Sequence, residues 1–486
     1  MINVCFVTSE CYPFVKTGGL ADVSSSLPLE LSKLGCHVKI FVPLYKMIDR
    51  SEYKLKPLGE IKNIEITISG KPYKFSVWYG KYGNLNDEVY FIDCPKLFGR
   101  DQIYTNDADE DIRFILFQHA VIQTIQRLQF HCNIIHCNDW QTSLIPVYLK
   151  KHYSWDKLFS KTISLLTIHN IAYQGSFSAD SIVSGGFFKT DLIPGSEFEL
   201  YGKFNFLKTG ISFADVISTV SQTYALETQT IKFGEGLDEI LKNRSKDYYG
   251  ILNGIDRNVW NPETDDFLPV KYNFNSLEKK ETNKKMLLKE VGLPYDGKKI
   301  LIGIVSRLAY QKGFDIIIPV LDEIINLEIQ LVILGKGEAQ YEEDLKKFAE
   351  KYPDKMHCHI GYHNRLSHLI TAGSDLFLMP SRYEPCGLNQ MYSLNYGTIP
   401  IVRKTGGLAD TVKDYDEHDS EGNGFSFTEY SSSKLMSKIK RALKVIENNE
   451  EKMKMQKKGM TADFSWKNSA KQYRDLYQKY LKDINC

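Results

Sequence analysis

Short apolar runs alternate with helix-like stretches from the first residues onward. NVCFVT, HVKIFVP, EVYFID, NIIHCND, SLLTIHN and VISTVS read as strands, many of them apolar throughout. A strand that is apolar at consecutive positions has no solvent face, so these runs predict a parallel sheet covered on both sides by helices. Between residues 64 and 80, EITISGKPYKFSVWYG reads instead as an antiparallel insertion turning at SGKP. The pattern weakens from about 256 to 298, where the chain is polar and punctuated by Pro and Gly. It resumes with KILIGIVSR, IQLVILGKG, HCHIGY, DLFLMPS and TIPIVRK, a second alternating α/β unit. The predicted architecture is therefore α/β, with two doubly wound, Rossmann-like domains and a linker near residue 256. In such sheets ligands sit beyond the carboxyl ends of the strands, and two such domains facing each other would enclose a cleft. At the C-terminus, FSWKNSAKQYRDLYQKYL places Trp466, Tyr473, Leu476, Tyr477 and Tyr480 at helical spacing. Packing into a core is the reading preferred over a carbohydrate-binding face.

Composition agrees with this picture. A chain of 486 residues exceeds one ordinary core, and 43% hydrophobic with 25% charged residues is a soluble globular balance. Formal net charge is +1, which gives no electrostatic reason to expect nucleic acid or an anionic membrane as partner. The opening MINVCFVTSE enters a strand without a charged leader, and no apolar stretch approaches the ~20 residues of a membrane span. Nine scattered cysteines fit reduced thiols, so a cytoplasmic location is expected. HCNIIHC offers His131, Cys132, His136 and Cys137, but alternate strand residues point to opposite faces, and no metal site is expected there. The basic run EEKMKMQKKGM is read as a solvated helix face.

One heptapeptide, KTGGLAD, occurs twice, at 16–22 and at 404–410. Each copy follows an apolar strand and opens a helical pattern. Its glycines allow backbone N–H groups to turn toward a ligand, and a helix start carries partial positive charge to which Lys16 or Lys404 would add a full one. Two matched copies point to phosphate or sugar binding rather than to a tight turn alone.

Other polar groups stand at strand ends. VSRLAYQKG places Arg307 and Lys312 after a strand, where they suit a diphosphate or, individually, a surface salt bridge. PSRYEPCGLNQ places Glu384 past another strand, either to accept sugar hydroxyls or to cap a helix, with the N–H groups of Gly387 and Leu388 as donors. LLTIHNIAYQG and IIHCNDWQ put His169 and Asp139 at strand ends as well.

As an ordered set, KTGGLADV (16–23), HCNDWQ (136–141), HNIAYQG (169–175), GILNGID (250–256), SRLAYQKG (306–313), EPCGLNQ (384–390) and KTGGLADTV (404–412) resemble the glycogen and starch synthase family over nearly the whole chain. The resemblance implies a GT-B fold with an acceptor domain over 1–255, joined by a returning C-terminal helix at 465–486, and a nucleotide-sugar domain over 256–464. It implies transfer of glucose from a nucleotide-glucose, ADP-glucose being usual, to an α-1,4-glucan acceptor, with retention of configuration and with neither metal nor other cofactor. Lys16, in the loop with Gly18 and Gly19, is then expected to contact the donor phosphate. Arg307 and Lys312 would hold the diphosphate. Glu384 and the backbone of Cys386, Gly387 and Leu388 would bind the transferring glucose, with Asn253 and His169 near its C6 side. Tyr362 would stack on the base, Thr405 and Gly406 would complete the phosphate cradle, and Asp139 would act at the acceptor or reaction centre.

Three positions depart from the family pattern. Asn389 stands where many relatives have Thr or another residue; an amide can also donate to phosphate, so altered affinity rather than lost function is expected. Gln222 stands where Pro is usual, with an effect expected on a turn. Tyr392 occupies the position of a second Glu in related enzymes. A dinucleotide oxidoreductase is disfavoured because Gly335 and Gly337 lack the third glycine of the fingerprint, Gln340 standing in its place. No residue excludes UDP-glucose as the donor.

Overall fold

Residues 1–81, 88–418 and 421–484 are described by a computed structural model of the protein, and their contacts divide the chain into two units. The first comprises Met1–Ile251 with Trp466–Cys486, the second Leu252–Ser465.

In the first unit the strands are β1 (Ile2–Val7), β2 (Cys36–Pro43), β3 (Lys56–Pro57), β4 (Ile64–Ile68), β5 (Lys71–Lys81), β6 (Glu88–Asp93), β7 (Ile134–Asn138), β8 (Ile163–Ile168), the short β9 (Ser176–Phe177), β10 (Glu199–Leu200) and β11 (Lys203–Asn205), then β12 (Val216–Thr219) and β13 (Tyr248–Gly250). Ten of them form one sheet in the order β13-β12-β8-β7-β1-β2-β6-β5-β3, with β4 beside β5, while β10-β11-β9 make a small separate sheet. β1 pairs in parallel with β2 and β7, Val4 lying opposite both Val38 and Ile134. The insertion is antiparallel as its pattern predicts: β5 pairs with β4 and β6, and Tyr73, Phe75 and Val77 are buried while Lys74 between them is exposed. That alternation is what a sheet with one wet face requires.

The helix Gly19–Lys33 follows β1 and buries Leu20, Val23, Leu27 and Leu31, one apolar stripe against the sheet. The C-terminal helix Trp466–Ile484 packs in this same unit and buries Trp466, Ala470, Tyr473 and Tyr477. Trp466, Tyr473 and Tyr477 are core, whereas Tyr480 is half-buried with its hydroxyl on Asp247 Oδ1 at 3.0 Å; the Tyr477 hydroxyl lies 2.7 Å from His136 Nδ1, whose Nε2 lies 2.6 Å from Thr167 Oγ1. Burial holds the His136 imidazole well below its usual pKa, so it stays neutral. His136 is thus a satisfied core histidine.

The second unit contains β14 (Ile300–Val305), β15 (Ile329–Gly335), β16 (Met356–Ile360), β17 (Leu376–Met379), β18 (Ile399–Arg403) and β19 (Phe425–Phe427), all parallel, in the order β16-β15-β14-β17-β18-β19. Successive residues feed opposite faces. Ile302, Ile304, Leu331 and Ile333 enter one core, and Leu301, Val332 and Leu334 the other. This is why the strands read as continuously apolar.

The sheet orders matter for function. In the second unit the chain starts at β14, moves outward through β15 and β16, then returns to the other side of β14 as β17. In the first unit it moves outward from β1 and returns to its other side as β7. Each reversal opens a crevice at the carboxyl ends of two neighbouring parallel strands.

The basic run near the C-terminus is only partly a solvated face. Its helix, Asn449–Thr461, buries Met455, Gln456 and Gly459, and Lys452 Nζ sits 2.5 Å from Asp375 Oδ1, with Lys284 Nζ 2.8 Å from the other oxygen. The two ammonium groups hold Asp375 far below the ordinary carboxylate pKa despite its burial. Among the described residues no helix is long and apolar enough to cross a membrane.

Candidate active site

At the second unit's switch point, β14 delivers Arg307 and the turn Tyr310–Lys312, and β17 delivers Glu384. Gly313 ends the turn at φ +86, so close to Pro380 that a Cβ would lie 2.3 Å from its carbonyl oxygen. Only glycine accepts both constraints. The close approach brings Lys312 Nζ to 2.5 Å from Glu384 Oε2, which also accepts from Ser381 Oγ at 3.1 Å. The Glu384 side chain is 8% exposed and that of Lys312 17%. Arg307 is exposed and donates to Gln311 Oε1 at 2.9 Å, while Gln311 in turn donates to Tyr383 O and accepts from the Arg382 amide. Gln311 therefore ties Arg307 to the segment that carries Glu384.

The second KTGGLAD copy closes on the same segment. Gly407 N donates to Glu384 O at 3.1 Å, and a Cβ on Gly406, at φ +44, would lie 1.9 Å from that oxygen. Gly406 and Gly407 are thus held directly against Glu384–Cys386. Gln390 Nε2 donates to the carbonyls of Cys386 (3.1 Å) and Gly387 (3.0 Å), orienting the peptides ahead of the helix Asn389–Asn395. Burial pushes the Cys386 thiol up to about 12, the Asn253 amide opposing this, so the residue is an unreactive thiol at neutral pH. Asn253 Oδ1 is buried without a hydrogen-bond partner among the described residues. Tyr362, just beyond β16, is 85% exposed.

In the first unit, Asp139 follows β7, His169 follows β8, and the loop containing Lys16 follows β1, three adjacent strands. Asp139 adopts φ +58, unusual for a residue with a side chain, and its Oδ1 accepts from the His169 amide at 2.7 Å. Burial pushes Asp139 up to about 7, with Glu10's charge adding to the rise and the amides of His169 and Asn170 opposing it. Asn138 Nδ2 donates to Val7 O, leaving its Oδ1 to accept from His169 Nε2 at 2.9 Å. That arrangement sets the Nε2–H tautomer. Burial lowers His169 to about 3, so the ring is neutral across the physiological range.

The first heptapeptide differs from the expectation of amides turned toward a ligand. Thr17 N (2.6 Å) and Gly18 N (3.1 Å) both donate to Glu10 Oε2, an internal carboxylate. Lys16, 42% exposed, forms an ion pair with Asp22 at 2.7 Å, and Gly19 begins the helix. In the second unit Asn389 Nδ2 donates to Val305 O at 2.6 Å, binding the end of β14 rather than standing free for phosphate. Gln222 is the first residue of the helix Gln222–Glu227, after the Ser221 cap, a position where proline is ordinarily favoured. Tyr392 packs face to face on Trp260, ring centroids 4.0 Å apart.

Ser381, Gln311, Gln390 and Arg403 were not singled out from the sequence. Arg403 Nε donates to Ser381 O at 2.7 Å, and its signal was a cation closing the apolar strand TIPIVRK. The three neutral residues carry no comparable signal: Gln311 reaches Tyr383, 72 residues away, and the local bonds of Ser381 to Glu384 and of Gln390 to Cys386 and Gly387 follow from the turn that the folded segment adopts.

Two α/β units with active-site candidates at parallel-strand ends define a GT-B glycosyltransferase. Residues 3–243 match the starch synthase catalytic domain and residues 289–461 the glycosyl transferases group 1. Glycogen synthases from Thermotoga maritima and Thermosipho melanesiensis are 43% and 44% identical, the alignments covering 99% of this chain and 100% and 99% of theirs. The catalytic domain of starch synthase IV from Arabidopsis thaliana, bound to ADP and acarbose, superposes with a TM-score of 0.91 at 34% identity, covering 99% of each chain. Sucrose-phosphate synthase from Thermosynechococcus elongatus, at TM-score 0.62 and 15% identity over 99% of this chain and 100% of that one, shares the fold alone. The chain belongs to the glycogen synthase family.

Proposed function

We propose that the protein transfers glucose from ADP-glucose to the non-reducing end of an α-1,4-glucan with retention of configuration, in the cytoplasm and without a metal. The observation that carries this reading is the Lys312–Glu384 pair, 2.5 Å apart at the β14/β17 switch point. As the glycosidic bond to phosphate breaks, negative charge collects on the departing diphosphate. Lys312 is a point charge and Arg307 a fork of donors for that diphosphate. Glu384, fixed by Lys312 and Ser381, accepts hydroxyl hydrogen bonds of the glucose, and the Cys386–Leu388 backbone adds donors. Thr405 and Gly406 line the phosphate side. The unpartnered Asn253 Oδ1 suits a sugar hydroxyl, since a buried acceptor is costly to leave unmade. Tyr362 offers an exposed ring to the base. Neutral His169, whose Nε2–H is held by Asn138 Oδ1, offers Nδ1 as an acceptor for a hydroxyl on the C6 side of the glucose, and Asp139 is the carboxyl expected to act at the acceptor or reaction centre. Lys16 contributes the cation of the first loop. The eight described cysteines are free thiols, in keeping with a reducing compartment. The ADP held by the starch synthase IV relative favours adenine over uracil as the base.

Nucleoside diphosphate release with glycogen present, measured in parallel with ADP-glucose and UDP-glucose, tests the proposal. Acceptor-dependent ADP release, lost in Glu384→Ala, is the expected result. Preference for UDP-glucose would change the donor and keep the reaction. Release with neither donor would leave a glucan-binding relative without activity.

A further inference from the structure

The first KTGGLAD copy is built around an anion of the protein's own. Glu10 is buried, and both its carboxylate oxygens are used: Oε2 accepts from Thr17 N at 2.6 Å and Gly18 N at 3.1 Å, while Oε1 accepts from Thr17 Oγ1 at 2.6 Å and Tyr104 OH at 2.7 Å. These bonds grip the two residues that follow Lys16. Those that precede it are fixed by reciprocal amide–carbonyl bonds between Cys11 and Val15, of 3.1 and 3.0 Å, and by Tyr12 N donating to Ala21 O at 3.2 Å. Tyr104 is itself held by Ser9 Oγ at 2.8 Å. Lys16, whose ammonium pairs with Asp22, thereby stands on a backbone bracketed from both sides. In the second copy the residue six before Lys404 is Thr398, whose hydroxyl is shared between Thr371 O and Ser374 O and accepts from Lys280.

We propose that Glu10 is a positioning residue for glucosyl transfer, acting as an internal counter-anion that presets the first heptapeptide and leaves Lys16, rather than the Thr17 and Gly18 amides, as the group this loop presents to the donor phosphate. The inference rests on the transfer reaction proposed above. A glycine-rich turn before a helix ordinarily aims its amides at a ligand anion. Here two of those amides are already saturated by a charge-assisted acceptor, and a phosphate could recruit them only by expelling a buried carboxylate. The preset loop lowers the ordering needed when the donor binds.

Glu10→Gln and Glu10→Ala separate geometry from charge. A glutamine can direct its oxygen at the Thr17 and Gly18 amides and its NH2 at the hydroxyls of Thr17 and Tyr104, which rotate to accept. Steady-state kinetics in donor and acceptor, with amide hydrogen exchange across residues 16–20, are measured on the full-length wild type and both variants. Glu10→Ala is expected to raise donor KM about tenfold or more and to accelerate local exchange, with acceptor KM unchanged, and Glu10→Gln to restore most of both. A folded Glu10→Ala protein with wild-type donor KM overturns the role, as does a Glu10→Gln protein as impaired as Glu10→Ala. Should Glu10→Ala not fold, Thr17→Val, which removes one of the four bonds, decides the matter: unchanged exchange and donor KM overturn the proposal. A wild type inactive on both nucleotide-glucoses removes the transfer reading itself, whereas an active wild type with unmoved variants removes only Glu10's part in it.

Discussion

Lys312 Nζ and Glu384 Oε2 lie 2.5 Å apart, joined from two strands that are neighbours in the sheet although the residues are 72 apart in the chain. With both side chains mostly withdrawn from water, neither charge is well screened. Lys312→Ala is expected to lower kcat by roughly 100- to 1,000-fold, the scale of losing one donor to developing negative charge. It should also destabilise the fold by about 3 kcal/mol, because Glu384 is left buried without its partner. Lys312→Ala combined with Glu384→Gln should recover most of that stability and none of the activity. Initial rates and urea titrations of the three proteins check this.

Gly18 and Gly406 hold the same position in the two heptapeptides but not the same conformation. Gly18 is extended at φ −151, and a Cβ added to it would meet nothing within 4 Å, whereas Gly406 is at φ +44 and would place a Cβ 1.9 Å from Glu384 O. Gly18→Ala should change stability by less than about 0.5 kcal/mol. Gly406→Ala should lose about 3 kcal/mol or more and reduce turnover by displacing Glu384. Equal Tm shifts in the two variants would contradict this asymmetry. A stable Gly18→Ala protein with raised donor KM would place the donor close to the first loop.

The first unit should lose stability in acid. Burial lowers His119 and His169 to about 3 and His136 well below 6.5, so the unfolded chain takes up three protons below pH 6.5 that the folded one refuses. Asp139, raised from 3.8 to about 7, acts oppositely: folded it keeps a proton that the unfolded chain has released, so its contribution falls as pH rises from 4 to 7. Near pH 5 the excess is two protons on the unfolded side, and these four groups give stability that rises with pH by roughly 2.7 kcal/mol per unit. Asp139→Asn should match wild type near pH 4 and be more stable at pH 8. Chemical denaturation from pH 4.5 to 8 tests both signs.

Tyr477→Phe should cost about 1–3 kcal/mol by leaving His136 Nδ1 buried without its 2.7 Å partner. Removing the helix Trp466–Ile484 altogether should prevent the first unit from folding, since Trp466, Tyr473 and Tyr477 leave its core. Circular dichroism and thermal unfolding of the point variant, set against expression of a chain ending at Phe464, distinguish the two effects.

Much of the fold was legible because burial writes itself into consecutive apolar positions. IVSR, LFLMPS and IPIVR each announced a strand of a sheet covered on both faces, and the alternation in KFSVW announced the half-exposed insertion. Charges after those strands, Arg307, Lys312 and Glu384, were legible as candidates because polar groups at strand ends have few structural reasons to be there. What they touch was not. Asn389, whose amide could have donated to phosphate, binds Val305 O, because the end of β14 offers a carbonyl that only the folded sheet brings within reach. Lys452 looked like one cation of a solvated run until Asp375, 77 residues away, turned it inward.

KTGGLAD shows the division most directly. Its sequence alone determined that each copy starts a helix after a strand, since glycine followed by Leu-Ala is a local instruction read from neighbouring residues. Tertiary structure decided everything else about it. In one copy Glu10 takes the amides and the first glycine is extended; in the other that glycine turns left-handed against Glu384, and the next amide binds a backbone carbonyl. Seven identical residues cannot encode two outcomes. Hydrogen-bond partners and steric contacts come from chain segments far away in sequence, and only packing selects among the conformations that glycine leaves open.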